Sequence, residues 1–387
     1  MLWNHYVYRR GDGVHDLWGP LFKRRPMRLL YIAGKGFDVR AQVVLRECVA
    51  SIRSSGQVVE AASLTLVAVK GYELDPALLA LTEVNAAALE TIFAPLGASQ
   101  SVAISAAATE ESEISATQAI RLGVDAVLRQ VTDQTDIILD VSSIPRVVYL
   151  ALMTSILNRL VPRKKEENAL SQCGVNFQVV VAEDAGLDAQ ILAEDPSSDP
   201  VLVPGFSSAV QAESVQDWPL VWFPILGEHR VNQLLQILKS NVIPDQAEIC
   251  PVLPHPSSNP RRADRLLLEY KEPLFDQRET PTSNILHAHE SNPFEAYRQL
   301  LQAMIRYRDS LRILGGCRLV VSPLGSKLIT LGAGLACFDM RPDDLSAQYG
   351  IAIPHAEPTR YVASVEALTS SRPGISALLL TGEAYAP

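Results

Sequence analysis

Two short polar runs stand at the ends of apolar ones. Residues 136–146 read DIILDVSSIPR and lead into VVYLALMTSIL, while residues 318–327 read RLVVSPLGSK and lead into LITLGAGLAC. Each reads as a strand-to-helix loop that faces a ligand. The N-terminus of a helix presents unpaired N–H groups and partial positive charge, which suits an anion. In the first run Asp140 ends the strand, Ser142 and Ser143 can cap the helix, and Pro145 suits its first turn. Arg146 then projects as a fork for phosphate or carboxylate. The plainer alternative is helix capping, with an Asp140–Arg146 ion pair closing the loop. In the second run Ser322, Gly325, Ser326 and Lys327 could cradle one phosphate; the alternative is a Ser-capped helix with a snorkelling lysine. GxxxxGK[ST] is absent, so no nucleoside-triphosphatase loop is expected there.

Two further loops follow earlier strands. In GKGFDVR (34–40), Gly34 and Gly36 allow a tight turn and close approach of a ligand to backbone. Asp38 could cap the next helix or accept a ribose hydroxyl, and Arg40 could reach a phosphate or Asp38 itself. In ILGEHRVN (225–232), Glu228 and His229 precede a helix. Asp38, Asp140, Glu228 and His229 are the weak candidates for a general base, with Arg146 or Lys327 as oxyanion stabiliser. His287 and His289 lie two apart on a strand, facing one way beside Glu290, but no third ligand with suitable spacing accompanies them, so no metal is expected. Asn85 and Glu90 read as the solvated face of a helix. The basic stretches 22–28 and 163–165 read as exposed loop charges. GxSxG, HExxH and a Cys–His pair in local context are all missing. GKGFD departs from GxGxxG, and Val69 and Lys70 stand where a ribose-binding acid would end the second strand, which argues against a dinucleotide oxidoreductase and leaves no cofactor implied.

The elements that would position these loops alternate. From residue 27, short apolar runs at 28–34, 63–69, 100–105, 135–141 and 176–183 are separated by stretches of helical period. Such alternation specifies a mainly parallel sheet with helices on both faces, a doubly wound or Rossmann-like domain. The order restarts at 218–227 and continues through 248–254, 283–289, 318–323 and 349–355. The expected organisation is therefore an N-terminal extension (1–26), a first Rossmann-like domain (27–185), a Pro-, Ser- and Asp-rich linker (186–217) and a second Rossmann-like domain (218–387), the two domains related by duplication.

Bulk properties narrow the function classes. The chain of 387 residues is long enough for two or three cores, and its formal net charge of −9 argues against general DNA or RNA binding and against a membrane surface. No apolar run reaches the roughly 18 residues that span a bilayer. The start MLWNHYVYRRGDG lacks the apolar core of a secretory signal. Five widely spaced cysteines fit a reducing cytoplasm.

The pattern Asp140-x-Ser142-x-x-x-Arg146, at the end of a fourth strand, resembles the ligand motif of CRISPR-associated Rossmann-fold (CARF) domains. SPLGSK resembles the Gly-Thr-Lys version of that loop, with Ser326 in place of Thr. The related SAVED sensors of bacterial antiviral systems fuse two such units in one chain. The resemblance implies that Asp140, Ser142, Ser143 and Arg146 line one half-site for a cyclic oligonucleotide and Ser322, Gly325, Ser326 and Lys327 the other. It further implies that Gly34–Asp38 and Gly227–Arg230 form the opposite wall. Family members usually carry an effector segment, and none is evident, so a separate effector protein is the expected partner. The expected function is a sensor of a nucleotide-derived anion. The alternatives are a phosphodiesterase or N-glycosidase using the same pocket, and a non-catalytic scaffold subunit of a defence complex.

Overall fold

The computed structural model describes residues 1–106, 114–163, 166, 168–188, 190–211, 215–342 and 347–386. Lys164 and Lys165 of the second basic stretch lie outside the described residues. The chain forms two compact units: Met1–Glu194 together with Arg360–Pro387, and Asp195–Thr359.

The first unit is built on a seven-stranded sheet. Its strands are β1 (Val7–Arg10), β2 (Met27–Gly34), β3 (Val59–Lys70), β4 (Ala98–Ser105), β5 (Asp136–Asp140), β6 (Asn176–Glu183) and, from the end of the chain, β16 (Gly374–Thr381). The order is β1-β16-β6-β5-β2-β3-β4. β2 to β6 run parallel, so in chain order those strands lie 3-2-1-4-5, reversing direction between β2 and β5. β16 is antiparallel to both β6 and β1.

Local sequence explains most of these elements. β5 and the central part of β2 are buried, as befits strands covered on both faces. The Arg40–Ser55 helix turns Ala41, Val44, Leu45, Cys48 and Ile52 to the core and stops at Gly56, whose φ of 69° favours glycine. The Pro76–Phe93 helix opens on Asp75, which accepts the Leu78 N–H, with Pro76 in the first turn.

The chain crosses between units at β7 (Leu192–Pro196) and β15 (Pro358–Val362). The second unit holds β8 (Val201–Ser207), β9 (Leu220–Ile225), β10 (Glu248–Ile249), β11 (Val252–Pro254), β12 (Leu286–Ala288), β13 (Cys317–Pro323) and β14 (Tyr349–His355). Their order is β12-β11-β9-β13-β14-β8, with β10 pairing β9 as well. β9, β11, β12, β13 and β14 are parallel and again lie 3-2-1-4-5; antiparallel β8 flanks the fifth. The mixed α/β class with two mainly parallel, Rossmann-like sheets is thus present.

The boundaries fall elsewhere than expected. Residues 1–26 are no extension: β1 joins the first sheet, and Trp3 and Trp18 are fully buried. The stretch read as a linker (186–217) contributes β8 to the second sheet. The last 28 residues return to the first unit, because the apolar run ISALLL completes its sheet between β6 and β1. The basic stretch 22–28 is partly tied down as well. Arg25 donates to the Thr135 and Gly174 carbonyls at 2.9 and 2.6 Å and pairs with Glu383.

One described helix, Pro76–Phe93, is long and apolar enough to cross a membrane, with mean hydropathy 1.2 and 28% of it buried. Glu83 and Glu90 interrupt it, which is why it shows no unbroken apolar run. Its buried residues, among them Leu78, Asn85, Leu89 and Phe93, share one face that covers the first sheet.

Candidate functional site

In a doubly wound sheet the crevice for ligands lies beyond the carboxyl ends of the strands where strand order reverses. In the first unit that point lies between the loops after β2 and β5, which are the two loops singled out above. They touch. A Cβ on Gly34 would sit 2.6 Å from the Ser143 carbonyl oxygen, and one on Gly36 would sit 3.1 Å from it. Ser143 donates its hydroxyl to the Gly34 carbonyl at 3.0 Å. Ser142, fully buried, accepts the Ala182 N–H from β6 at 2.8 Å. Neither serine caps the following helix; Pro145 holds that position. Asp140, also fully buried, accepts from the Tyr31 hydroxyl at 3.0 Å and from the Ser142 N–H at 2.9 Å. Burial and the Asp140 charge hold the Tyr31 phenol well above its usual range.

Asp38 and Arg40 take the intramolecular option. Arg40 is 2% exposed and grips Asp38 in a forked pair, Nε to Oδ1 at 2.9 Å and Nη2 to Oδ2 at 2.7 Å. Its Nη1 lies 2.7 Å from Asp188. Burial works against the guanidinium charge, but the two carboxylates outweigh it and raise the Arg40 pKa.

Asn85 corrects the sequence reading outright. It is fully buried, not solvated surface. Its amide donates to the Gly36 and Asp38 carbonyls at 2.7 and 3.2 Å and accepts from Gln42 at 2.8 Å, so it sets the path of the glycine loop. The signal was present, since position 85 falls in the series 78, 85, 89, 93 that faces the core.

The second unit builds the same junction from other residues. A Cβ on Gly227 would stand 2.3 Å from the Leu324 carbonyl oxygen and 2.9 Å from the Gly325 Cα. Gly325 backs onto Ile225 and Leu226. Ser322 is fully buried and accepts the Trp222 indole N–H at 2.8 Å, so it lies inside the core and not in a phosphate cradle. Ser326 is the N-cap of the Lys327–Asp339 helix, yet its hydroxyl makes no capping bond there. The Tyr270 hydroxyl donates to the Gly227 carbonyl at 2.7 Å.

Glu228 and His229 are not arranged as a base pair. Arg262 holds Glu228 with two bonds of 2.6 and 2.7 Å and reaches Glu290 at 2.5 Å, tying together the loops after β9, β11 and β12. Burial pushes the Glu228 carboxyl up, but the Arg262 guanidinium prevails and leaves it below the usual carboxylate range. His229 precedes its helix with φ of 60°, and its backbone N–H binds Glu269 at 2.8 Å. Sequence reading missed Arg262 and Tyr270, because nothing in RRADRLLLEY marks which arginine turns back toward three loops. His287 lies on β12 with its ring edge-on to His255 at 5.5 Å, while His289 falls past the strand end. Among the described residues no metal-holding cluster occurs.

Arg146 and Lys327 stand at corresponding places in the two junctions. Each is half-buried and is the first residue of its helix. Both helices are buried nearly all round, with Val147–Thr154 and Leu328–Asp339 inside. A separate open cleft of about 830 Å³ lies beyond β6, but Glu183, Asp184 and Glu366 line it against Arg372, so it does not suit an anion.

By fold and by these junctions the chain is a protein of two Rossmann-like units, each with a glycine-tightened switch point. Neither a protein-family model nor a curated protein matches its sequence.

Proposed function

We propose that the chain is a two-lobed sensor of a nucleotide-derived anion, a cyclic oligonucleotide or similar, that signals occupancy to a separate effector protein. The CARF- and SAVED-like motifs make the bacterial cytoplasm and antiviral defence its setting, with the unit plan arising by duplication. One observation carries the reading. Each unit, taken by itself, has the 3-2-1-4-5 order and begins the helix after its fourth strand with a half-buried cation, Arg146 or Lys327. A cation at a helix N-terminus beside a switch point suits an anionic ligand.

The internal partners of Asp38, Arg40, Ser142 and Ser322 assign those residues to shaping the loops. Arg262 holds Glu228 below the usual carboxylate range, and Arg40 occupies both Asp38 oxygens, so neither carboxylate lends much to a hydrolase reading. The scaffold reading draws on the closeness of the loops, Gly34 on Ser143 and Gly227 on Leu324, which leaves little room between their backbones.

Calorimetric titration with a panel of cyclic di-, tri- and tetranucleotides, followed by mass spectrometry of the ligand after long incubation, separates the readings. A sensor binds a member of the panel and returns it intact. Turnover supports a hydrolase, and absence of heat with every member supports the scaffold.

A further inference from the structure

An open sheet ends in two edge strands, and folded proteins blunt such edges with short length, charge, proline or a bulge, because a bare edge pairs with another chain. Three of the four edges of the two large sheets carry such a device. β1 has four residues and ends in the exposed Arg9 and Arg10. β12 has only three. β8 contains Pro204, and its register against β14 is broken. β4 has none of these. Its eight residues, ASQSVAIS, include no charge and no proline, and its register against β3 is unbroken from end to end. Residues 98–101 and Ala103 are exposed, and among the described residues no strand pairs the outer side of β4.

The helices beside this edge are apolar on their outer surfaces. Right-handed crossovers running in opposite directions along the sheet put the Pro76–Phe93 helix on one face and the Ala116–Leu128 helix on the other. The first leaves Leu79 and Val84 52% and 64% exposed, with Ala80 and Ala87 also in solvent, and Lys35 neutralises its Glu83 at 2.8 Å. The second comes down onto Ile104 of β4 at Gly123 and leaves Leu122 exposed. A strand of eight residues runs about 26 Å, and a sheet with a helix about 10 Å across on each face is roughly 30 Å deep. The end wall is therefore on the order of 700–800 Å², close to the about 800 Å² that each partner buries in a stable interface. An identical wall is the partner that fits it. The edge offers no charge for an unlike partner to complement, and antiparallel pairing about a two-fold axis uses up the bare edge of both copies at once. The far end of each sheet is then β1 with its arginines, so addition stops at two.

We infer that two copies of the chain pair through β4, antiparallel about a two-fold axis, so that their first sheets continue into one another and the Pro76–Phe93 helices meet beside the seam. This surface lies apart from the switch-point loops, and the pairing does not depend on what they bind.

The test is sedimentation equilibrium of the full chain as wild type, Ser101→Lys and Val84→Lys, with urea midpoints to establish that each variant is folded. The wild type should sediment with twice the mass of one chain. Ser101→Lys sets two ammonium groups near the two-fold axis, and Val84→Lys charges the helix beside it, so each should raise the dissociation constant at least about tenfold. Amide hydrogen exchange of the wild type adds a readout that needs no variant. Protection of β4 should rise from dilute to concentrated protein, while that of β1, β8 and β12 stays level. A wild type that remains a single chain when concentrated overturns the pairing, and flotation of that single chain with phosphatidylcholine vesicles would assign the helix face to a membrane instead. A dimer that persists in both folded variants, or one that forms without added protection in β4, places the interface elsewhere and overturns it as well.

Discussion

The two switch points share a plan and differ in how it is locked. In each, a glycine after the first parallel strand lets backbone meet backbone from the fourth: Gly34 against Ser143, Gly227 against Leu324 and Gly325. The ionic lock then differs. The first unit buries its guanidinium: Arg40 is 2% exposed, pairs with Asp38 two residues away, and has Asn85 beside it under the loop. The second unit spans three loops with Arg262, at 15% side-chain exposure, and lets Glu228 keep 35% of its surface in water. Close backbone packing is thus the shared requirement of this strand order, while the charges around it are interchangeable means to that end.

Removing the two arginines should separate the two units by the largest margin. Arg40→Ala leaves Asp38 charged and buried, so the first unit should lose about 3–5 kcal/mol. Arg262→Ala should cost about 2 kcal/mol or less, because Glu228 and Glu290 recover water. Urea denaturation gives the totals, and amide hydrogen exchange in the Arg40–Ser55 and Arg262–Glu269 helices assigns each loss to its unit. Equal losses would mean that burial does not set the difference.

Next in size, Gly227→Ala forces its Cβ into the Leu324 carbonyl and should cost about 1–3 kcal/mol. Gly56→Ala, at a helix end with nothing within 4 Å, should cost less despite its φ of 69°. If the two substitutions shift the urea midpoint alike, backbone contact at the junction is not what glycine serves there.

The smallest effect is on pH. The folded-state pKa of Glu228 is depressed, so its contribution is present above the unfolded value of about 4.3 and is lost as pH falls through the lower, folded one. With a third of the side chain in solvent, the loss should be a few tenths of a kcal/mol. Midpoints of the wild type measured from neutral pH down to about 3 should fall more than those of Glu228→Gln across that window.

Much of this architecture was legible in the sequence, and the failures have physical causes. β2 and β5 are buried on both faces and so read as unbroken apolar runs. The helices at 40–55 and 76–93 announce themselves by period and by Gly56 and Asp75. β16 misled because its partners, β6 and β1, lie 190 residues and more upstream, and local pattern carries no record of pairing at that range. The polar loop residues misled for another reason. Ser142 and Ser322 look like ligand contacts, but a buried hydroxyl must find a partner, and each found one within its own unit: the Ala182 N–H and the Trp222 indole. Asn85 failed in the opposite sense, a polar side chain on a core-facing position, recruited to satisfy carbonyls that the glycine loop leaves pointing inward.

The measurement closest to the central claim is calorimetric titration of the tightest-binding cyclic oligonucleotide into wild type, Arg146→Met and Lys327→Met. These substitutions keep the aliphatic stem of each side chain and remove its charged head with the hydrogen-bond donors it carries. Each variant should stay folded and lose at least about tenfold in affinity, with a salt dependence shallower than that of the wild type. Undiminished binding in both variants, or no binding by the wild type, would contradict it.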